Sequence, residues 1–484
     1  MGKSVMIQGT MSNSGKSFIS AGLCRIFMQD GYSCAPFKSQ NMALNSYVTK
    51  EGLEIGRAQA VQAESAGIKP SVLMNPILLK PTTNIGSQVI LNGKPFGNMS
   101  AGEYFRRKTE FIPHIKNAYE KLSSMHDIIV IEGAGSPVEL NLKTNDIVNM
   151  GMAEMADSPV ILVGDIDRGG IFAQLYGTVS LLSPDERKRV KGLIVNKFRG
   201  DISLFDEGVK ILENLCGVPV LGVVPYIKCD MEDEDSLSEK LENNKTSYIN
   251  IAVIKLPKLS NFTDFDVFLQ YKGVGVYYAE KPEDLLSADM IVIPGTKNTV
   301  ADMKYLRESG FEYAVKSAVS KNLPIFGICG GYQILGKKIS DPLNSEGGEN
   351  IDGMGLLDCE TVFSDEKKTV LTNGKFKDIS GYFSFLSGKS FSGYEIHMGV
   401  TENTGNILTD CGGAYKDNVA GCYIHGIFDT IAEDIIKNLF LKKGIEYMGG
   451  ITDRNKYKNQ QFDILAENIR KNIDMKKLYE ITGV

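Results

Sequence analysis

The chain has 484 residues, 43% of them hydrophobic and 23% charged, too many for one core at the usual ~100–200 residues per domain, so two or three domains are expected. Its 53 Lys and Arg stand against 59 Asp and Glu, a formal net charge of -6, which leaves no basic excess to neutralise a phosphate backbone and argues against nucleic acid as a partner. No uncharged apolar run approaches the ~18–20 residues of a membrane span, and the chain does not open on a charged segment followed by an apolar one, so a soluble cytoplasmic protein without a membrane partner is expected.

From the first residues to about residue 226, short apolar runs alternate with stretches of helical period. Strands are predicted at 5–8, 34–37, 128–132, 159–163, 192–196 and 219–223, each rich in Val and Ile and without the alternation of a half-solvated sheet. That pattern indicates a parallel sheet buried on both faces. Between the first two strands Phe18, Ile19, Leu23, Ile26 and Phe27 recur at helical spacing and Gly31 ends the run, so a strand-loop-helix unit opens the chain.

The loop in that unit is Gly9-Thr10-Met11-Ser12-Asn13-Ser14-Gly15-Lys16-Ser17. Its glycines let backbone N–H groups approach phosphates and the helix N-terminus adds partial positive charge, while Lys16 reaches the outer phosphates and Ser17 can ligate Mg²⁺. The candidate ATP-binding residues are Thr10, Asn13, Gly15, Lys16 and Ser17. Five residues separate Gly9 from Gly15, so the loop is a longer variant of the usual one. Glu132, at the end of the buried run 128–132 and before Gly133-Ala134-Gly135, is the metal carboxylate expected beside the nucleotide, with Glu54 a second candidate. Asn196-Lys197-Phe198-Arg199 stands where guanine-nucleotide proteins carry a base-reading loop, but Arg199 replaces the Asp that would hold the guanine amino group. Adenine is therefore expected, with Asn196 touching it; a polar cap at a strand end is the alternative for Asn196.

Seven acids lie between Asp230 and Glu242, read as a solvated linker over 229–247. A second series of strands follows, at 249–254, 274–278, 290–294 and 324–329. The last runs directly into Cys329-Gly330-Gly331 and then a helical pattern, the arrangement of a nucleophile elbow. There the helix N-terminus favours thiolate and the Gly330 N–H faces a developing oxyanion, with Thr296 of the Pro294-Gly295-Thr296 turn a second backbone donor. The eight cysteines form no Cys-x-x-Cys pair, which disfavours zinc and disulfides. The base must be one of four histidines. His425, after a short β-like run and before Gly426, is preferred, His397 is the competitor, and His114 and His126 lie in the first domain. After Gly450, Phe462, Leu465, Ile469 and Ile473 mark an amphipathic helix expected to pack on one of the domains.

These strings have relatives. Gly327-Ile328-Cys329-Gly330-Gly331-Tyr332-Gln333 with Gly421-Cys422-Tyr423-Ile424-His425-Gly426 resembles the class I glutamine amidotransferases, in which Cys attacks the glutamine side-chain amide and releases ammonia. The phosphate loop with Glu132-Gly133-Ala134-Gly135 resembles dethiobiotin synthetase, in which ATP phosphorylates a carboxylate. Their fusion in this order is similar to the cobyric acid synthase family of the cobalamin pathway. Further strings that carry this likeness lie at 36–42, 54–59, 74–81, 165–170, 260–266 and 294–299.

The resemblance implies an α/β protein of two doubly wound domains. A P-loop ATP-binding amide synthetase domain (1–228) and the acidic linker (229–247) precede a class I glutaminase-like domain (248–445) and a helical tail (446–484). It implies glutamine and a corrinoid as substrates, ATP with Mg²⁺, and conversion of the b, d, e and g carboxylates of adenosylcobyrinic acid a,c-diamide to amides. Lys38, Arg57 and Arg168 become candidates for gripping phosphates or substrate carboxylates. Many class I domains place Glu two residues after the histidine, where this chain has Ile427. A Cys–His dyad is therefore expected, with Asp429 and Glu395 the carboxylates considered for orienting it. Cobyrinic acid a,c-diamide synthase shares the architecture and is the nearest alternative; a P-loop switch ATPase with an inactive glutaminase-like module is the alternative of a different class.

Overall fold

In the computed structural model the apolar runs of the first half become six strands. Their order across the sheet is Val220–Pro225, Val190–Phe198, Val160–Asp165, Lys3–Gly9, Ile128–Glu132 and Cys34–Phe37, and every neighbouring pair is parallel. Val5 and Ile7 enter one hydrophobic core and Met6 between them enters another. Successive strand residues point to opposite faces, so a strand whose faces are both covered needs apolar residues throughout. This is why these runs lack alternation.

The structure describes all residues except 1, 44, 82–85, 230, 232–247, 345, 347, 448 and 450–453. The acidic segment 229–247, apart from Cys229 and Met231, lies outside the described residues. The chain divides into two units, one of Met1–Thr49, Leu53–Asp235 and Asn455–Val484, the other of Lys50–Gly52 and Ser236–Arg454.

The helical tail belongs to the first unit. Its helices Arg454–Asn472 and Met475–Thr482 place Leu465, Ile469 and Leu478 in the core formed by Val5, Ile7, Leu23, Ile26 and Ile161. Polar clamps flank that contact: Arg25 donates to Asp463 at 2.8 Å, and Arg470 donates to both oxygens of Asp30 at 2.9 Å. A smaller four-stranded sheet, Gln40–Met42, Ile77–Pro81, Gly86–Leu91 and Lys94–Ser100, also lies in this unit.

The second unit is built on a seven-stranded sheet ordered Val274–Ala279, Ile249–Ile254, Met290–Ile293, Ile325–Ile328, Val419–Cys422, Gly412–Lys416 and Asn406–Thr409. The first five strands are parallel and the last two turn antiparallel. Beside it lies a five-stranded sheet dominated by the long antiparallel pair Cys359–Lys375 and Ser390–Asn403. The sequence reading has no counterpart for this pair. Its strands carry charges and exposed apolar residues such as Val362 and Val370, so no continuous apolar run marks them. No helix among the described residues is long and apolar enough to cross a membrane.

Because Leu465 is fully buried between the tail and the sheet, Leu465→Ala should destabilise the first unit by ~2–5 kcal/mol, the cost of a large-to-small change in a core. Denaturant unfolding of the variant, followed by nucleotide-binding competence, checks this.

Candidate active sites

The phosphate loop leaves the buried strand Lys3–Gly9 and ends at Gly15, whose φ of 94° places it in the left-handed region before the helix Lys16–Gln29. A side chain at Gly15 is excluded twice, by that backbone and because its Cβ would lie 2.1 Å from Asn196 Nδ2. Asn196 Nδ2 donates to the Ser14 carbonyl at 2.9 Å, and Lys197 Nζ donates to the Asn13 carbonyl at 2.7 Å and to Asp165 at 3.0 Å. The Asn196 amide thus braces the loop from a strand two places away in the sheet. Lys16 Nζ donates back to the Met11 carbonyl at 3.1 Å, Thr10 Oγ1 donates to Gln174 at 3.0 Å, and Ser14 Oγ is buried without a partner. A cradle with an orphaned hydroxyl and a lysine folded over it fits the outer phosphates of a nucleotide.

Glu132 lies at the foot of this loop. It is 1% exposed, and Ser17 Oγ (2.8 Å), Lys38 Nζ (2.9 Å) and Gln62 Nε2 (2.5 Å) all donate to its carboxylate. Burial alone would push its pKa up, but the Lys38 charge and the hydrogen bonds from Lys38, Gln62 and Ser17 outweigh burial and hold it below the ordinary Glu value. The group is therefore a carboxylate beside the Ser17 hydroxyl, a donor pair of the type that suits Mg²⁺. Among the described residues no cluster of three or more His, Cys, Asp or Glu side chains gathers.

The remaining candidates of this unit have partners of their own. Glu54 is buried in an ion pair with Lys80, which also donates to Ser46 at 3.0 Å. Arg57 is buried with its guanidinium 5.3 Å from the Tyr47 ring centroid, and Arg168 is half-exposed, 3.7 Å from Asp165. Arg199 makes a two-pronged pair with Asp167, at 2.7 and 3.2 Å, and stacks 3.8 Å over the Tyr226 ring.

In the second unit Cys329 joins the strand Ile325–Ile328 to the short helix Gly330–Leu335 with φ 52° and ψ -110°. A non-glycine residue in that region stores ~1–3 kcal/mol of strain, held only because the surroundings determine it. The Cys329 N–H is pinned to the Cys422 carbonyl at 2.9 Å. From there the chain runs from the seven-stranded sheet to the neighbouring one, where Ile424–His425 pairs with Glu395 and Tyr394. That strand exchange brings His425 near enough to the thiol for Cys329 to be among the influences on its ring, while the Cys329 Sγ–H itself is directed at the Ile396 carbonyl at 3.6 Å. The turn expected to supply the second oxyanion donor is also close. A Cβ built on Gly330 would sit 3.0 Å from the Thr296 nitrogen, and one on Gly295 would sit 3.1 Å from His425 Cε1.

The sequence reading missed the third group. Asp264 Oδ2 lies 2.7 Å from His425 Nδ1, and Asp264 Oδ1 accepts the Gly426 N–H at 3.1 Å. The expected dyad is therefore a triad in geometry. Glu395 is instead committed to His397 (3.0 Å), Lys368 (2.8 Å) and Thr372 (2.9 Å), and Asp429 lies in the first turn of the following helix. His397 stacks 3.7 Å from the Tyr423 ring and its other nitrogen meets the Gly399 carbonyl at 2.8 Å. Burial disfavours the charged form of His425, but the Asp264 charge and hydrogen bond, followed by the Cys329 thiol, raise its pKa from 6.5 to about 9. An imidazolium beside a thiol favours thiolate, and a thiolate next to two backbone donors can attack a carboxamide. The only sequence trace of Asp264 is its place in Ser260-Asn261-Phe262-Thr263-Asp264-Phe265-Asp266; nothing in that string indicates a partner 161 positions away.

Both units match known domains. Residues 5–239 match the CobQ/CobB/MinD/ParA nucleotide binding domain and residues 250–432 the CobB/CobQ-like glutamine amidotransferase domain. The chain is 54% identical to a cobyric acid synthase of Ruminiclostridium cellulolyticum over 92% of its own length and 90% of the relative's. The chain belongs to the cobyric acid synthase family. Cobyric acid synthases of Lachnoclostridium phytofermentans and Photorhabdus laumondii are 51% and 48% identical to it, the first over 95% of both chains and the second over 95% of this chain and 94% of its own. Membership of the cobyric acid synthase family makes the chain an enzyme, a glutamine-dependent amide ligase, and not a switch ATPase with an idle second module.

Asp264→Asn should remove the main influence that raises the His425 pKa, so the imidazolium is lost near neutral pH and glutaminase turnover falls on the order of 10²-fold or more. Stability gives the same sign. A raised His pKa contributes stability that is complete below 6.5 and lost as pH rises through about 9. The wild-type melting temperature should therefore fall across that window more than that of Asp264→Asn, as calorimetry at a series of pH values would show.

Proposed function

We propose that the protein converts the b, d, e and g side-chain carboxylates of adenosylcobyrinic acid a,c-diamide to amides, with glutamine as nitrogen donor and ATP as activator. The observation that carries this reading is one chain holding two kinds of site. One unit has a phosphate loop whose Ser17 meets the buried carboxylate Glu132, and the other has Cys329 beside His425 and Asp264. The relatives' name, cobyric acid synthase, supplies the substrate class.

A carboxylate does not react with ammonia until one oxygen becomes a leaving group. In the first unit the γ-phosphoryl group of ATP passes to the substrate carboxylate, leaving ADP and an acyl phosphate. Lys16 and the loop N–H groups offset the negative charge that moves onto the β-phosphate oxygens. Ser17 and Glu132 would hold Mg²⁺, which supplies charge neutralisation between the outer phosphates. In the second unit the Cys329 thiolate attacks the side-chain carboxamide carbon of glutamine while the Gly330 and Thr296 N–H groups receive the oxyanion. His425 gives its proton to the departing nitrogen, so ammonia leaves and a thioester remains. Water, deprotonated by His425, then releases glutamate and restores the thiol. Ammonia attacks the acyl phosphate carbon, expels inorganic phosphate and leaves the amide.

Incubation with ATP, glutamine and the a,c-diamide, read by mass spectrometry, tests the reading, because each amidation replaces OH by NH₂ and gives a countable shift. A corrinoid recovered unchanged would overturn it.

The two sites separate by nitrogen source. Cys329→Ala should abolish amidation from glutamine while ammonia at high pH still supports it, and His425→Ala should behave likewise. Lys16→Ala should stop amidation from both sources. Glu132→Gln keeps the shape but loses the metal-holding charge, so ammonia-driven turnover should fall by orders of magnitude. With Arg199 offering donors only, ATP should outcompete GTP in the same ammonia-driven assay.

A further inference from the structure

Beside the Glu132 group the first unit buries amide side chains whose polar atoms have no partners. Asn45 is 1% exposed, and neither Nδ2 nor Oδ1 makes a hydrogen bond. Gln59 and Gln62, on the helix Arg57–Ser65, are 0% and 1% exposed. Gln59 Oε1 accepts from Asn41 at 3.0 Å while its Nε2 is unpaired; Gln62 Nε2 donates to Glu132 while its Oε1 is unpaired. The Asn45 carbonyl accepts the Arg57 N–H at 3.3 Å, which places Asn45 at the start of this helix. A buried polar atom without a partner costs about as much as a lost hydrogen bond, and four in neighbouring segments are far from the usual satisfaction of protein interiors.

The unpaired atoms form a particular set. Asn45 Nδ2 and Gln59 Nε2 are donors, and Asn45 Oδ1 and Gln62 Oε1 are acceptors. Equal numbers of donors and acceptors are what a primary carboxamide satisfies, since its oxygen accepts and its nitrogen donates. A carboxylate offers acceptors only and would set its negative oxygen against an amide oxygen. Exchanging the oxygen and nitrogen of Asn45 leaves the argument unchanged, because both atoms are unpaired. Lysine or arginine would suit a carboxylate, and here Lys38 and Lys80 are engaged with Glu132 and Glu54 while the Arg57 guanidinium lies 5.3 Å from the Tyr47 ring centroid.

We propose that Asn45, assisted by Gln59 and Gln62, is a carboxamide-reading subsite that grips the substrate by a side-chain amide already installed. This rests on the corrinoid reading above. It adds that the first unit tells amidated from unamidated corrinoid by pairing an amide with an amide. A substrate that lacks the amide leaves Asn45 unsatisfied, and discrimination on the order of 10–100-fold follows from one such buried pair.

Equilibrium dialysis, read by corrin absorbance, measures binding of the a,c-diamide and of its unamidated parent acid. Wild type should bind the diamide at least tenfold more tightly. Asn45→Ala and Asn45→Asp should weaken the diamide by 10-fold or more and bring the two ligands close together, with the ratio of ratios isolating Asn45 from the charge difference between ligands. Melting temperature and ATP affinity establish that each variant is folded; should the Asn45 variants fail to fold, Gln59→Leu must show the same loss of preference. An unchanged preference in the folded variants would mean that Asn45 pairs only with ordered water and would overturn the proposal. Equal binding of both ligands by wild type would overturn it while leaving the amidation reading intact. Binding of neither ligand by wild type would overturn both.

Discussion

A carboxylate removed from water must find its compensation inside the protein, and Glu132 finds it from three segments that are distant in sequence. Ser17 comes from the first helix, Lys38 from the end of the second strand and Gln62 from the helix beyond. Removing one member of such a buried pair costs ~3–5 kcal/mol, because the other charge is left without a counterpart. Glu132 therefore ties together the elements around the phosphate loop. The parallel sheet explains its location: all six strands run the same way, so their carboxyl ends open on one edge, and the loop after Gly9, Glu132, Asp165 and Asn196 all lie at such ends.

The second unit solves a different problem with the same means. Cys329 sits on a strained backbone, and burial opposes the charged form of His425. The parallel pairing of Ile325–Ile328 with Val419–Cys422 holds Cys329 in place, and Asp264 offsets the cost of a buried imidazolium. A neighbouring carboxylate stands in the same relation to the donor turn. Asp302, buried and pushed up to about 6 by desolvation, accepts from Thr296 Oγ1 at 2.5 Å, so the Thr296 side chain is tied down. Ring contacts pack behind the base, with Tyr394 stacked 5.3 Å from His425. His425 with Asp264 and Thr296 with Asp302 are paired here, whereas Asn45, Gln59 and Gln62 of the first unit keep unpaired atoms.

Much of the architecture was legible in the chain. The six buried strands of the first unit and four of the second stand out because a strand covered on both faces must be apolar throughout, a local property that needs no knowledge of neighbours. The phosphate loop and Cys329 were legible for a related reason. Each depends on a strand, a tight turn and a helix in immediate succession, so backbone conformation and chemistry are written in one short string. The antiparallel pair of 359–375 and 390–403 left no such trace, since a ribbon with an exposed face stabilises itself by cross-strand pairing and tolerates charge.

What the sequence determined by itself was therefore the set of local devices: the phosphate loop, the strand-end carboxylate, the tight strand-to-helix turn at Cys329 and the amphipathic tail. Tertiary structure alone decided who meets whom. It placed Asp264 on His425 and gave Glu395 to His397, bound Arg199 to Asp167 and Glu54 to Lys80, and laid the tail on the first unit. Those pairings depend on which strand ends and helix faces come within 3 Å after folding, and a hydrogen bond between residues 161 positions apart has no local propensity that could announce it.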